Sequence, residues 1–364
     1  MQILAAVLRE PGKAMSIEAL DLDDPRPNEI VVEIAGCGVC HTDLSFRDGA
    51  WPYPLPAVLG HEGAGTVLAI GSAVTTLSLG DRVVLSFGFC GTCPSCLSGS
   101  PATCPNAPLI NMRGSRDDGS TTLSQDGSPV HGSFNTQSSF ATHVLTEERF
   151  ATKLPDSVSL ELAGTLGCGV PTGAGSVLNV LEPRPGSTVA VFGLGAVGLS
   201  AVAAARFSGC SRVVGVDLNP VRLDLARDFG ATDVIDAGTG EPVDAIHRLV
   251  PGGVDGAIEA SGAKKALTDA FMSTKPTGTT VVVGAAPIGT QYEIDSVSLL
   301  AGRSIRGCTM GLANPRVMIP QLVSMWEQGL LPIGKMSKTF KLNDIESALA
   351  ASADGSVVKP VLIP

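Results

Sequence analysis

Between about residues 187 and 305, short apolar runs alternate with longer stretches of mixed polarity. The runs fall at 189–192, 213–216, 233–235, 256–259 and 280–284. Unbroken apolar strands separated by helical segments predict a parallel sheet with helices on its faces. Outside this region the pattern changes. Residues 2–35 read as short strands interrupted by Pro11-Gly12 and Pro25-Arg26-Pro27, and 29–35 alternate in the manner of a β-strand. A helix is expected at 174–181, two more near 315–328 and 343–351, and a last short strand over 357–363. Residues 111–138 are polar and rich in Gly and Ser, which predicts a long loop.

The first of the parallel runs leads into chemistry. Val189 and Val191 enter Gly193-Leu194-Gly195-Ala196-Val197-Gly198, an Ala-rich segment follows, and a second apolar run ends on Asp217. Strand, glycine turn, helix, strand and acid is the order of a dinucleotide-binding unit, with the diphosphate seated on the free N–H groups of the helix start. Gly193 permits the tight turn, Gly195 admits the pyrophosphate, and Gly198 lets helix and strand pack closely. Asp217 would accept the ribose hydroxyls and repel a 2′-phosphate, which favours NAD, and Arg222 nearby tempers that preference.

Composition narrows the partners. The 364 residues suffice for two domains, and Gly 43 and Pro 25 suit a loop-rich α/β protein. The net charge of −10 and the lack of any Lys/Arg cluster argue against nucleic acid and anionic membranes. The apolar run 185–205 has the length of a membrane span, but the glycine fingerprint explains it. The N-terminus lacks the pattern of a secretory signal, so the reading is cytoplasmic, and nine cysteines then point to metal rather than disulfides.

Residues 90–104 supply four of them, Cys90, Cys93, Cys96 and Cys104, spaced C-x2-C-x2-C-x7-C. Amid Gly, Ser and Pro these thiols suit one closed tetrahedral zinc, a structural site. The x7 gap departs from the spacing of ferredoxin clusters. Of the other five, Cys40 and Cys168 sit in Gly-flanked turns, and His61 in Gly60-His61-Glu62-Gly63 has a similar setting. Their separations alone do not reveal a shared metal.

Taken together, Gly60-His61-Glu62-Gly63-Ala64-Gly65, the four-cysteine lobe and the glycine fingerprint resemble the zinc-containing medium-chain dehydrogenase/reductase family along essentially the whole chain. Residues 36–43 and the loop after Cys104 are similar to its aryl-alcohol (benzyl alcohol) dehydrogenase branch. The resemblance implies a second, catalytic zinc held by Cys40, His61 and Cys168, with Glu62 behind it and Asp43 orienting His61. It implies that Thr42 takes the alcohol proton. Where many relatives end that relay on a histidine stands Ser45, which cannot act as a base. His41 and Lys359 correspond to cations on the cofactor diphosphate, Lys359 being as readily a solvated lysine, and Gly284 and Ala285 would lie along the nicotinamide. The substrate channel would be lined by Trp51, Ser86, Phe87, Leu109, Phe140 and Thr309.

The expected architecture is a doubly wound parallel-sheet cofactor domain, 171–309, inserted into a mostly-β GroES-like catalytic domain, 1–170 and 310–364. Residues 304–311 resemble the family's edge strand, implying a homodimer or homotetramer. The expected activity is a reversible NAD-linked oxidation of a primary aryl, allylic or similar apolar alcohol to its aldehyde. A thiol–formaldehyde adduct or a polyol as substrate, and a non-catalytic dinucleotide-binding protein, are the alternatives.

Overall fold

The computed structural model describes residues 1–364. The chain divides into two compact units, each assembled from separate stretches of sequence. The first comprises Met1–Cys168, Asn314–Ser324 and Met336–Pro364, and the second Gly169–Ala313 and Met325–Lys335. Residues 325–335 thus join the second unit, where the sequence placed them in the catalytic domain.

The second unit is built on six parallel strands. Their spatial order is Asp233–Asp236, Arg212–Asp217, Thr188–Phe192, Val254–Glu259, Thr274–Val282 and Ser304–Gly307. In sequence terms this is order 3-2-1-4-5-6, the doubly wound arrangement that binds dinucleotides at its switch point. Val189, Ala190, Val191 and Phe192 are all buried because helices cover both faces, which is why the run shows no alternation. The apolar run 185–205 divides into this strand, a glycine turn and the helix Ala196–Phe207. No helix of the chain is long and apolar enough to cross a membrane.

The first unit holds a seven-stranded sheet centred on Glu29–Gly38, which pairs with Gly63–Ile70, His143–Glu147 and Lys359–Ile363. A five-stranded sheet carries Gln2–Leu8 and Ser16–Leu22 at its middle. Glu29–Gly38 is buried almost throughout rather than on alternate residues. Ile30, Val31 and Val32 lie in one core, and Glu29 is buried because Arg116 clamps it. Arg116 donates to both carboxylate oxygens of Glu29 (2.7 and 3.1 Å), to Asp23 (2.7 Å) and to the Thr121 carbonyl (3.2 Å).

That clamp belongs to a segment expected as a loop. Residues 111–138 instead contain an antiparallel hairpin, Leu123–Gln125 with Ser128–Val130, which extends the five-stranded sheet. Its turn residues Asp126 and Gly127 have φ of 49° and 77°, the left-handed pair a two-residue hairpin demands. One other expectation is adjusted. Over 174–181 the α-helix Gly169–Gly175 gives way to wider π-type turns at Ser176–Leu181. The cysteine segment includes a one-turn helix, Pro94–Leu97.

Candidate active site and metal centres

Cys40 ends an extended stretch and caps the helix His41–Arg47. Asp43 in the first turn returns its carboxylate to the Cys40 N–H (2.9 Å), so the cap and the sulfur are fixed together. The other oxygen of Asp43 accepts from His61 Nδ1 at 2.9 Å and from the Gly60 N–H at 3.3 Å. With Nδ1 so engaged, Nε2 is the nitrogen left to bind a metal. Cys40, His61, Glu62 and Cys168 bring their donor atoms within 4.8 Å of one another, although 128 positions separate the first residue from the last.

Charge in this cluster is arranged in pairs. The hydrogen bond from Cys168, with His61 and Lys359 nearby, holds the Cys40 thiol well below its ordinary range. The same hydrogen bond and burial push Cys168 up. Burial opposes a charged His61, but Asp43 and Cys40 outweigh it and raise the imidazole. Burial also raises Glu62 against the pull of Lys359.

Lys359 is the main correction. Neither solvated nor free for a diphosphate, it is buried and donates to both oxygens of Glu62 (2.9 and 3.0 Å) and to the Val39 carbonyl (3.0 Å). The strand Lys359–Ile363 lies beside Glu29–Gly38, which delivers the ammonium to Glu62. Gly38 makes the approach possible, because a Cβ there would sit 2.1 Å from Glu62 Oε2.

Sequence reasoning missed Phe134. Its ring is fully buried, edge-on to His61 with centroids 5.6 Å apart, and it meets Phe46 and Tyr53 in further edge contacts. Nothing in the Gly/Ser-rich stretch around it signals that role. The expected channel residues divide differently. Trp51 packs its ring edge-on to Phe46, Ser86 is buried with its hydroxyl on the Phe150 carbonyl, and Phe87 lies against Phe89. Leu109 is 67% exposed. Phe140 has no exposed surface and its ring abuts Gly60, so it is core rather than channel lining. Thr309 caps a short turn at Met310–Leu312 in the second unit.

Thr42 is half-buried and His41 exposed. Ser45 donates its hydroxyl to the His41 carbonyl (3.2 Å), one helical turn back. That bond turns the hydroxyl proton back onto the helix. Ser45→Ala is expected to change kcat and its pH profile by less than about twofold, since a serine hydroxyl is no base near neutral pH and so carries no titration; a collapse of kcat in initial-rate assays would refute this.

The second cluster, Cys90, Cys93, Cys96 and Cys104, also converges within 4.8 Å. Three of its six sulfur separations are 3.9, 3.9 and 3.6 Å. A tetrahedron with zinc–sulfur bonds of about 2.3 Å has edges of about 3.8 Å, so the cage is the size of a four-thiolate zinc. Backbone N–H groups of Thr92 and Cys93 lower Cys90 to about 5, and burial raises Cys96 to about 12. With four sulfurs there is no open position, which suits a structural ion.

In the second unit Gly193 has φ of 87°, and a Cβ on it would strike Ser261. Gly195 precedes the helix Ala196–Phe207, whose first residues include Val197 and Gly198. Asp217 accepts from the N–H groups of Leu194 (2.6 Å) and Asn219 (2.9 Å) at the carboxyl end of its strand. Arg222 lies just beyond, its Nε without a partner.

Residues 26–156 match the profile described as alcohol dehydrogenase GroES-like domain, and 196–327 that of zinc-binding dehydrogenase. The geraniol dehydrogenase of Castellaniella defragrans is 41% identical, covering 99% of this chain and 97% of its own. This chain belongs to the zinc-containing alcohol dehydrogenase family. Benzyl alcohol dehydrogenase from Acinetobacter calcoaceticus has 40% identity, a TM-score of 0.96, and coverage of 100% and 99%. The S-(hydroxymethyl)glutathione dehydrogenase of Escherichia coli is 33% identical over the full length of both chains. Alcohol dehydrogenases of this family use zinc and NAD(P), and both sulfur clusters fit zinc: one closed, the other with two thiols and an imidazole leaving a position for substrate.

Proposed function

We propose that this chain oxidises a primary aryl, allylic or similar apolar alcohol to the aldehyde, reversibly, with NAD. The observation that carries the reading is the convergence of Cys40, His61 and Cys168 beside Glu62, within reach of one ion. Similarity to geraniol and benzyl alcohol dehydrogenases supports the substrate class, since both alcohols carry an unsaturated carbon next to the carbinol.

In this reading a zinc held by Cys40, His61 and Cys168 would supply Lewis acidity to the alcohol oxygen, and NAD would supply the hydride acceptor. The chain does the rest. Asp43 fixes the His61 tautomer, and Lys359 pairs with the Glu62 carboxylate. Thr42 Oγ1, two residues after Cys40 in sequence, would take the alcohol proton and pass it on toward solvent, because Ser45 is no base near neutral pH. Gly193, Gly195 and the start of Ala196–Phe207 receive the diphosphate with His41, and Asp217 the ribose. Asp217 disfavours a 2′-phosphate, the basis for NAD over NADP, with Arg222 beside it. Ala285 lies along the nicotinamide, and Trp51, Ser86, Phe87, Leu109 and Thr309 contribute to substrate selection. A cytoplasmic homo-oligomer joined through the edge strand Ser304–Gly307 completes the proposal.

A second reading, a thiol–formaldehyde adduct, is favoured by the glutathione-linked relative. Initial rates of NADH formation with benzyl alcohol, geraniol and formaldehyde, each with and without glutathione, decide between them. Glutathione-independent oxidation of the first two is expected. Activity only with formaldehyde and thiol would replace the proposal, and a silent zinc-loaded protein would end it.

A further inference from the structure

Three buried carboxylates of this chain have clear partners: Asp43 holds His61, Glu62 meets Lys359, and Glu29 meets Arg116. Glu259 does not fit that pattern. It is the last residue of the strand Val254–Glu259 and is fully buried. Its Oε1 accepts from the Ser261 N–H (2.7 Å), the Ser261 hydroxyl (2.6 Å) and the Gly262 N–H (2.8 Å). Its Oε2 has no partner. One carbonyl oxygen could take all three bonds, so the turn needs only a glutamine. The second oxygen is a costly surplus, and buried polar atoms rarely stay unpaired without a return.

Its position suggests the return. The Glu259 carbonyl accepts from the N–H groups of Val283 (2.9 Å) and Gly284 (3.0 Å), and the next residue, Ala260, donates to Phe192 (2.8 Å). Residue 259 therefore lies where three adjacent strands end, on the side of the sheet that receives ligands. A Cβ on Gly284 would come 2.6 Å from Oε2 and 2.2 Å from the Gly262 nitrogen. Glycine at 284 keeps that flank of the carboxylate free of side chain, next to Ala285.

We propose that Oε2 of Glu259 is a fixed negative charge that favours the oxidised nicotinamide over the reduced one. The inference rests on the dinucleotide reading above. The oxidised ring is a pyridinium cation. On receiving a hydride at C4, with both electrons of the broken carbinol C–H bond, it becomes neutral, while the alcohol proton departs separately. A buried carboxylate therefore stabilises one cofactor state and not the other, in surroundings where charge is weakly screened. Glu259 is a positioning residue for the turn and an electrostatic one for the ring.

The test is equilibrium titration of zinc-loaded enzyme with NAD and with NADH, followed by calorimetry. For Glu259→Gln the ratio of the NAD to the NADH dissociation constant is expected to rise about tenfold, a typical effect of one charge at several Å in protein surroundings. Zinc content should stay at two per chain. Gly284→Ala, which displaces the turn but keeps the charge, should weaken both forms alike. Equal effects of Glu259→Gln on both forms, or none, would overturn the inference, as would a ratio change of the same size in Gly284→Ala. If Glu259→Gln does not fold, Glu259→Asp withdraws the charge by one methylene and should raise the ratio in part; an unchanged ratio there overturns it. Failure of the unaltered enzyme to bind either form would instead overturn the dinucleotide reading.

Discussion

Replacing Cys40 with serine is expected to cut zinc from two ions per chain to one and to lower alcohol oxidation by about three powers of ten, equivalent to about 4 kcal/mol of lost transition-state stabilisation. Cys40 is the member of the cluster whose surroundings most favour a thiolate: it accepts from Cys168 and faces His61. A serine hydroxyl in the same place remains protonated and is a poor ligand for a borderline-soft ion. The four-sulfur lobe is a separate cage with its own backbone donors, so its ion should stay. Metal analysis and initial rates on the same preparation check both halves, with circular dichroism to establish that the fold is kept. A variant retaining two ions and its rate would remove Cys40 from the site.

Lys359→Met should be the most destabilising change away from the metal ligands. The ammonium and the Glu62 carboxylate are 4% and 0% exposed, so removing one leaves the other charged and without solvent. Breaking a buried pair in this way costs about 3–5 kcal/mol, and for a unit of this size that is about 10 °C in Tm. Burial already raises the Glu62 pKa, and losing Lys359 raises it further. A carboxyl with a raised folded-state pKa loses its contribution to stability as pH climbs through that value. The deficit should thus be least near pH 4 and grow toward neutrality. Thermal melts from pH 4 to 8 read this directly. Lys359→Met combined with Glu62→Gln should recover most of the loss, and a single variant as stable as the parent at pH 8 would contradict the ion pair.

What the chain discloses in advance follows from how local each signal is. The parallel sheet was readable because strands covered on both faces leave unbroken apolar runs, as at Val189–Phe192 and their neighbours. The four-cysteine lobe was readable because all its ligands lie within fifteen residues. The hairpin at Asp126-Gly127 carried a valid turn signal, but strands of three residues are too short to show a period. Lys359 was misplaced for the opposite reason: its partner is 297 positions away, and only the pairing of distant strands brings them together. Phe134 and Phe140 show the same limit for aromatics, since one ring packs against His61 and the other against Gly60, and nothing local in the sequence tells them apart.

The guanidinium of Arg116 reaches from a polar, Gly/Ser-rich stretch to Glu29 on the central strand and to Asp23. The consequence is for anyone redesigning this scaffold: the polar stretch is no interchangeable ornament. Grafting in a foreign segment without its arginine would leave an acid stranded inside the sheet that carries Cys37 and Gly38 toward Cys40. Diversity introduced there has to be chosen jointly with positions 23 and 29.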